Sequence, residues 1–186
     1  VYLLPKADFH KTYGLFSTNY GSIDNHFGYH PDDLKQVPDG IAHFLEHKLF
    51  EKEDGDVFQK FGQQGASANA FTSFTKTSYL FSATDQIQKN LMTLLDFVQA
   101  PYFTEETVEK EKGIIGQEIQ MYDDDPNWQQ FFGIIKNLYP KHPLHIDIAG
   151  TVTSIADITA EDLYLCYNTF YHPSNMVLFI VGNIDP

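Results

Sequence analysis

The sequence contains no arginine: all 12 of its basic residues are lysines. The planar guanidinium fork that suits bidentate recognition of phosphate is therefore missing, and with a formal net charge of -13 the chain is not expected to bind nucleic acid. There is a single cysteine, Cys166, so no internal disulfide can form. It sits on an apolar-periodic segment, where a small buried hydrophobe is its expected role, and a reducing, cytoplasmic compartment is the expectation that follows. Long apolar runs are also missing. The stretch at 176–181 falls far short of the roughly 20 residues that cross a bilayer, and no membrane partner is expected.

What is present is enough for a core: 186 residues, 42% hydrophobic and 15% aromatic, fit one compact unit. The β-favouring residues of 15–23 predict a strand, followed by a polar loop over 24–40 that holds Pro31 and Pro38. Residues 41–50 contain neither Gly nor Pro and predict a helix. A short helix over 57–63 should end at Gly65, where a left-handed residue fits. Two strands around a bend are expected over 65–81. Ile87, Leu91, Leu94, Leu95 and Val98 recur at helical spacing up to Pro101. Thr104 should cap a helix reaching about Tyr122, with a second helix over 127–138. Thr159 should start another helix, and 175–182 reads as an apolar strand. Strands interspersed with helix pairs predict an α+β fold, a mainly antiparallel sheet with helices packed on one face.

His43 and His47 are four residues apart, one turn apart on one helical face, within reach of a single cation. Zn²⁺ is the natural occupant: two imidazoles and a carboxylate leave a fourth position for water. Glu46, beside both histidines, is close enough to take a proton from that water. Two solvated helix histidines are the bland reading of the same spacing. Glu111 and Glu118 lie seven residues apart, within about 20° of each other on a helix. Val108, Ile115, Ile119 and Tyr122 fall on or beside that face, so it should be the buried one. Buried carboxylates need partners, and a metal ion with two histidines supplies one.

The segment Pro38-Asp-Gly-Ile-Ala-His-Phe-Leu-Glu-His-Lys-Leu-Phe50 resembles the active-site helix of the pitrilysin, insulinase and mitochondrial processing peptidase family. Gly65-Ala-Ser-Ala-Asn-Ala-Phe-Thr72 is similar to its substrate-edge strand, and Glu109-Lys-Glu-Lys-Gly-Ile-Ile-Gly-Gln-Glu118 to its distal-glutamate helix. His142-Pro143 with Gly150-Thr151 resembles a loop of the family, and 172–183 the strand opening its next subdomain. The resemblance implies an insulinase-like half-domain that ends where a second subdomain begins. It implies zinc ligands His43, His47 and Glu118, with Glu46 as general base and Glu111 as a carboxylate that supports a ligating histidine. It further implies that Asn69 and Ala70 hold a peptide substrate by strand addition, and that a second peptidase-like domain or homologous subunit closes a chamber. The family's Arg and Tyr near the zinc come from later sequence. His142 and His145 are expected to be loop residues, outside the ligand set. The alternatives are a non-catalytic peptide-binding or regulatory subunit of a processing-peptidase-like complex, or a fragment inactive in isolation; a purely structural zinc domain fits less well, because structural sites usually close with four protein ligands.

Overall fold

The computed structural model describes residues 1–28 and 30–185. Strand β1 (Tyr2–Pro5) leads to β2 (Thr12–Thr18), then to a small ribbon of β3 (His26–Phe27) and β4 (Lys35–Gln36). Helix α1 (Ile41–Leu49) follows, then a second ribbon, β5 (Glu51–Lys52) with β6 (Gly55–Asp56), and α2 (Val57–Gln63). The hairpin of β7 (Ala66–Thr72) and β8 (Thr77–Ala83) comes next, with α3 (Ile87–Gln99), α4 (Glu105–Asp123) and α5 (Pro126–Leu138) after it. The short α6 (Val152–Ala156) and α7 (Ala160–Phe170) precede the last strand, β9 (Met176–Gly182).

Five strands form one sheet in the order β1-β9-β2-β8-β7, antiparallel except for the parallel β1–β9 pair. Registers such as Phe16 opposite Tyr79 and Leu178, and Ala70 opposite Tyr79, put those side chains on one face. There they join Phe44, Leu45, Phe61, Leu94, Phe97 and Leu163 of the helices in one core cluster. The neighbouring positions Leu15, Leu80, Phe179 and Val177 point the other way and are only half-buried or exposed. This is the expected α+β architecture with helices on one face. Among the described residues no helix is long and apolar enough to cross a membrane.

One strand is displaced from its expected place. Instead of 15–23, β2 spans Thr12–Thr18, and the chain turns at Gly21, whose N–H donates to Asp24 Oδ2 at 2.8 Å. The aromatic that suggested a longer strand, Tyr20, is fully buried and stacks on Phe170 with ring centroids 4.2 Å apart. Its apolar character serves tertiary packing. Helix α6, not anticipated from the sequence, is made possible by reciprocal bonds between Thr151 and Ser154 at its first turn.

Helix α1 is nine residues long, too short to persist alone, and eight of its residues are buried. Burial all round makes it a core helix. Its Lys48, fully buried, pairs with Glu51 and donates to the Thr107 carbonyl at 3.3 Å, tying α1 to the start of α4. Gly40 caps α1 in a left-handed conformation, φ 89°, and a Cβ there would run into the Ala149 carbonyl. Left-handed backbone costs a residue with a Cβ about 1–2 kcal/mol before any displacement of the facing loop. Gly40→Ala is therefore expected to lower the urea midpoint, by at least about 2 kcal/mol of stability, at unchanged m-value. An unchanged midpoint would show that the Gly40–Ala149 contact imposes no constraint.

Candidate metal centre

A cleft of about 760 Å³ opens between α1, α4 and the edge strand β7, with His43, Glu46, His47, Glu111 and Glu118 along its wall. Burial of α1 on its other sides fixes its rotation, so the two histidines emerge on the side that faces α4. Their rings sit 4.5 Å apart, centroid to centroid. Helix α4 begins as expected: Thr104 Oγ1 accepts the Thr107 N–H at 3.2 Å, with Glu105 and Glu106 in the first turn. Val108, Ile115 and Ile119 are buried, so the face carrying Glu111 and Glu118 does turn inward.

Glu118 addresses both imidazoles. Its Oε2 lies 3.4 Å from His47 Nε2 and its Oε1 3.6 Å from His43 Nε2. Glu111 instead reaches the back of one ring, with Oε1 3.0 Å from His47 Nδ1. That bond places the Nδ1 proton toward Glu111 and leaves the Nε2 lone pair facing the cleft. His43 has no such support, since its buried Nδ1 finds no hydrogen-bond partner; packing alone orients it.

Burial pushes the His43 imidazole well below its ordinary range, and neighbouring His47 adds to the shift against the pull of Glu118 and Glu111. For His47 burial acts in the same direction but is outweighed by the Glu111 hydrogen bond and the surrounding carboxylates, which raise it. Burial pushes the Glu46 carboxyl up to about 7, opposed by His47 and by a hydrogen bond from the Thr72 hydroxyl to Glu46 Oε2 at 3.0 Å. A cation bound beside it would draw it down again.

The donor set fits a zinc ion: two imidazole nitrogens and one carboxylate converge, and a further carboxylate fixes a ring from behind. His43, Glu46 and His47 also bring ligand atoms within 4.8 Å of one another, so the geometry allows either Glu46 or Glu118 as the third donor. Position separates them. Glu118 faces both Nε2 atoms, whereas Glu46 is engaged by Thr72, which leaves its other oxygen open to the cleft.

Asn69 and Ala70 lie on β7, which among the described residues pairs only with β8. The outward-facing Ala70 N–H is taken by the Asn69 side-chain oxygen at 2.9 Å. His142 and His145 stay apart from the site: His142 Nδ1 accepts the Leu144 N–H, and His145 Nδ1 bonds the His142 carbonyl at 2.6 Å. Sequence reasoning missed two contacts. Thr72 stands in the quoted strand motif without a role, and Tyr122 was counted only as part of a buried face. The hydroxyl of Tyr122 donates to Glu118 Oε1 at 2.9 Å, and its position four residues after Glu118 was the available signal.

Residues 31–152 match the family model described as insulinase, peptidase family M16, and residues 157–186 match the one described as peptidase M16 inactive domain. The chain is 68% identical over its full length to the uncharacterized zinc protease YmfH of Bacillus subtilis, of which it covers 44%. It superimposes with a TM-score of 0.94 and 52% identity on an M16-like peptidase from Alicyclobacillus acidocaldarius, covering 98% of this chain and 43% of that one. The first half of the periplasmic protease PqqL from Escherichia coli gives a TM-score of 0.80 at 25% identity, with 98% of this chain and 40% of that one covered. The chain thus spans less than half the length of these relatives.

Proposed function

The chain belongs to the insulinase family of peptidases, family M16, and from that premise we propose that it is the zinc-binding portion of an endopeptidase acting on peptides or unfolded segments. The observation that carries the proposal is the meeting of His43, His47 and Glu118 around one point, with Glu46 beside them and its Oε2 held by the Thr72 hydroxyl. His43, His47 and Glu118 would hold the zinc ion, which when bound would supply Lewis acidity toward a scissile carbonyl and a water acidic near neutral pH. Glu46 takes the proton from the attacking water and delivers it to the departing amine. The Thr72 hydroxyl holds Oε2 of Glu46, so Oε1 is the atom that carries this proton. Glu111 keeps His47 in the tautomer that binds through Nε2.

An extended peptide adds to the free edge of β7, where main-chain bonds dominate. Its carbonyl replaces the Asn69 side chain at the Ala70 N–H. The relatives are more than twice as long, which supports a second peptidase-like domain or homologous subunit opposite this cleft. A non-catalytic peptide-binding role is the second reading, favoured by the match of residues 157–186 to the inactive-domain model.

Purified chain is expected to hold one zinc ion, and chelation followed by zinc readdition should abolish and restore cleavage of an unstructured peptide. Lack of zinc, or cleavage indifferent to chelation, would remove the proposal. Tight zinc and peptide binding without cleavage would favour the second reading.

A further inference from the structure

The carboxylate of Glu118 is held by a row of contacts that leads back to the helix carrying the histidines. Tyr122, one turn further along α4, donates a hydrogen bond from its hydroxyl to Glu118 Oε1. The Tyr122 ring stacks on Trp128 of α5, centroids 4.5 Å apart and planes inclined by 19°. Trp128 Nε1–H donates to Asp147 Oδ2 at 2.7 Å, and Asp147 Oδ1 accepts the Ala149 N–H at 3.0 Å. The Ala149 carbonyl in turn occupies the space a side chain at Gly40 would need, at the cap of α1. Glu118 lies 75 and 71 residues after His43 and His47, on a different helix, and this row links the two helices.

We infer that Tyr122 is a positioning residue of the metal centre, clamped by Trp128 and Asp147, which occupies Glu118 Oε1 and leaves Oε2 as the binding oxygen. The inference rests on the zinc-peptidase reading above. A carboxylate free to rotate can offer both oxygens or neither; a hydroxyl on one of them selects a single orientation at small entropic cost. If the Tyr122–Trp128 stack only packed α4 against α5, the hydroxyl itself would be dispensable, because phenylalanine stacks equally well.

The test uses zinc with a competing chelator on the 186-residue chain and on Tyr122→Phe and Trp128→Phe. Tyr122→Phe should weaken zinc binding by about 10-fold or more, the range for losing a partner of a metal ligand, while the urea midpoint of the metal-free chain stays in place. Trp128→Phe, which keeps a stack but drops the bond to Asp147, should show a smaller loss in the same direction. In the cobalt-substituted proteins, the visible spectrum of Tyr122→Phe should differ from that of the parent, as the released carboxylate changes the coordination; a packing role would leave it alone. Equal zinc affinity and identical cobalt spectra would overturn the inference, as would an affinity loss explained by unfolding with the spectrum unchanged. Failure of the parent chain itself to bind zinc would sink the zinc reading and this inference with it, an outcome distinct from parent binding with an indifferent Tyr122→Phe.

Discussion

Glu118→Gln is expected to lose zinc at chelator concentrations that leave the parent chain fully loaded, whereas Glu111→Gln should keep it with about 10- to 100-fold lower affinity. The two glutamates share one face of α4 but meet different atoms. Glu118 stands 3.4 and 3.6 Å from the two Nε2 nitrogens, where a cation would lie between them, and an amide there removes the only negative charge of the donor set. Glu111 touches only the Nδ1 side of His47. Its amide can still accept a bond from the ring, so the tautomer is weakened without being lost. Chelator titration of both variants decides the matter, and equal affinities or the reverse order would mean that the two roles are exchanged.

Replacing Glu46 with glutamine should slow peptide hydrolysis by about 10²- to 10⁴-fold, the usual contribution of a positioned base, with zinc content unchanged. The substitution is nearly isosteric, and its amide oxygen can still accept the Thr72 hydroxyl. Burial already pushes the carboxyl up to about 7 in the absence of a cation, so a neutral group removes a desolvation penalty and the fold should not be weakened. Because the ligand atoms of Glu46 and the histidines lie within 4.8 Å of one another, loss of zinc in this variant would identify Glu46 as a ligand. Undiminished cleavage would show that another group moves the proton. Metal analysis run beside the peptide assay separates these results.

Much of the site was legible from local pattern. His43 and His47 needed only a helix to share a face, and α1 spans both. The seven-residue interval between Glu111 and Glu118 survives in α4, whose burial at Val108, Ile115 and Ile119 follows the expected stripe. The capped starts at Thr104 and Thr159 and the left-handed Gly65 were also readable, because caps and turns depend on side chains within a few residues. The first strand was misplaced because Tyr20 has strand-like chemistry but spends it on Phe170, 150 positions away.

The sequence by itself determined which residues are the candidates for metal binding and proton transfer and which faces of α1 and α4 they occupy, since helical periodicity converts spacing directly into direction. Only the tertiary structure decided that those two faces meet, that Glu118 confronts both histidines while Glu111 stands behind one, and that Thr72 holds Glu46 and the Tyr122–Trp128–Asp147 row holds Glu118. The reason is physical: contacts between distant segments arise from packing shared by the whole core, and no local interval encodes them.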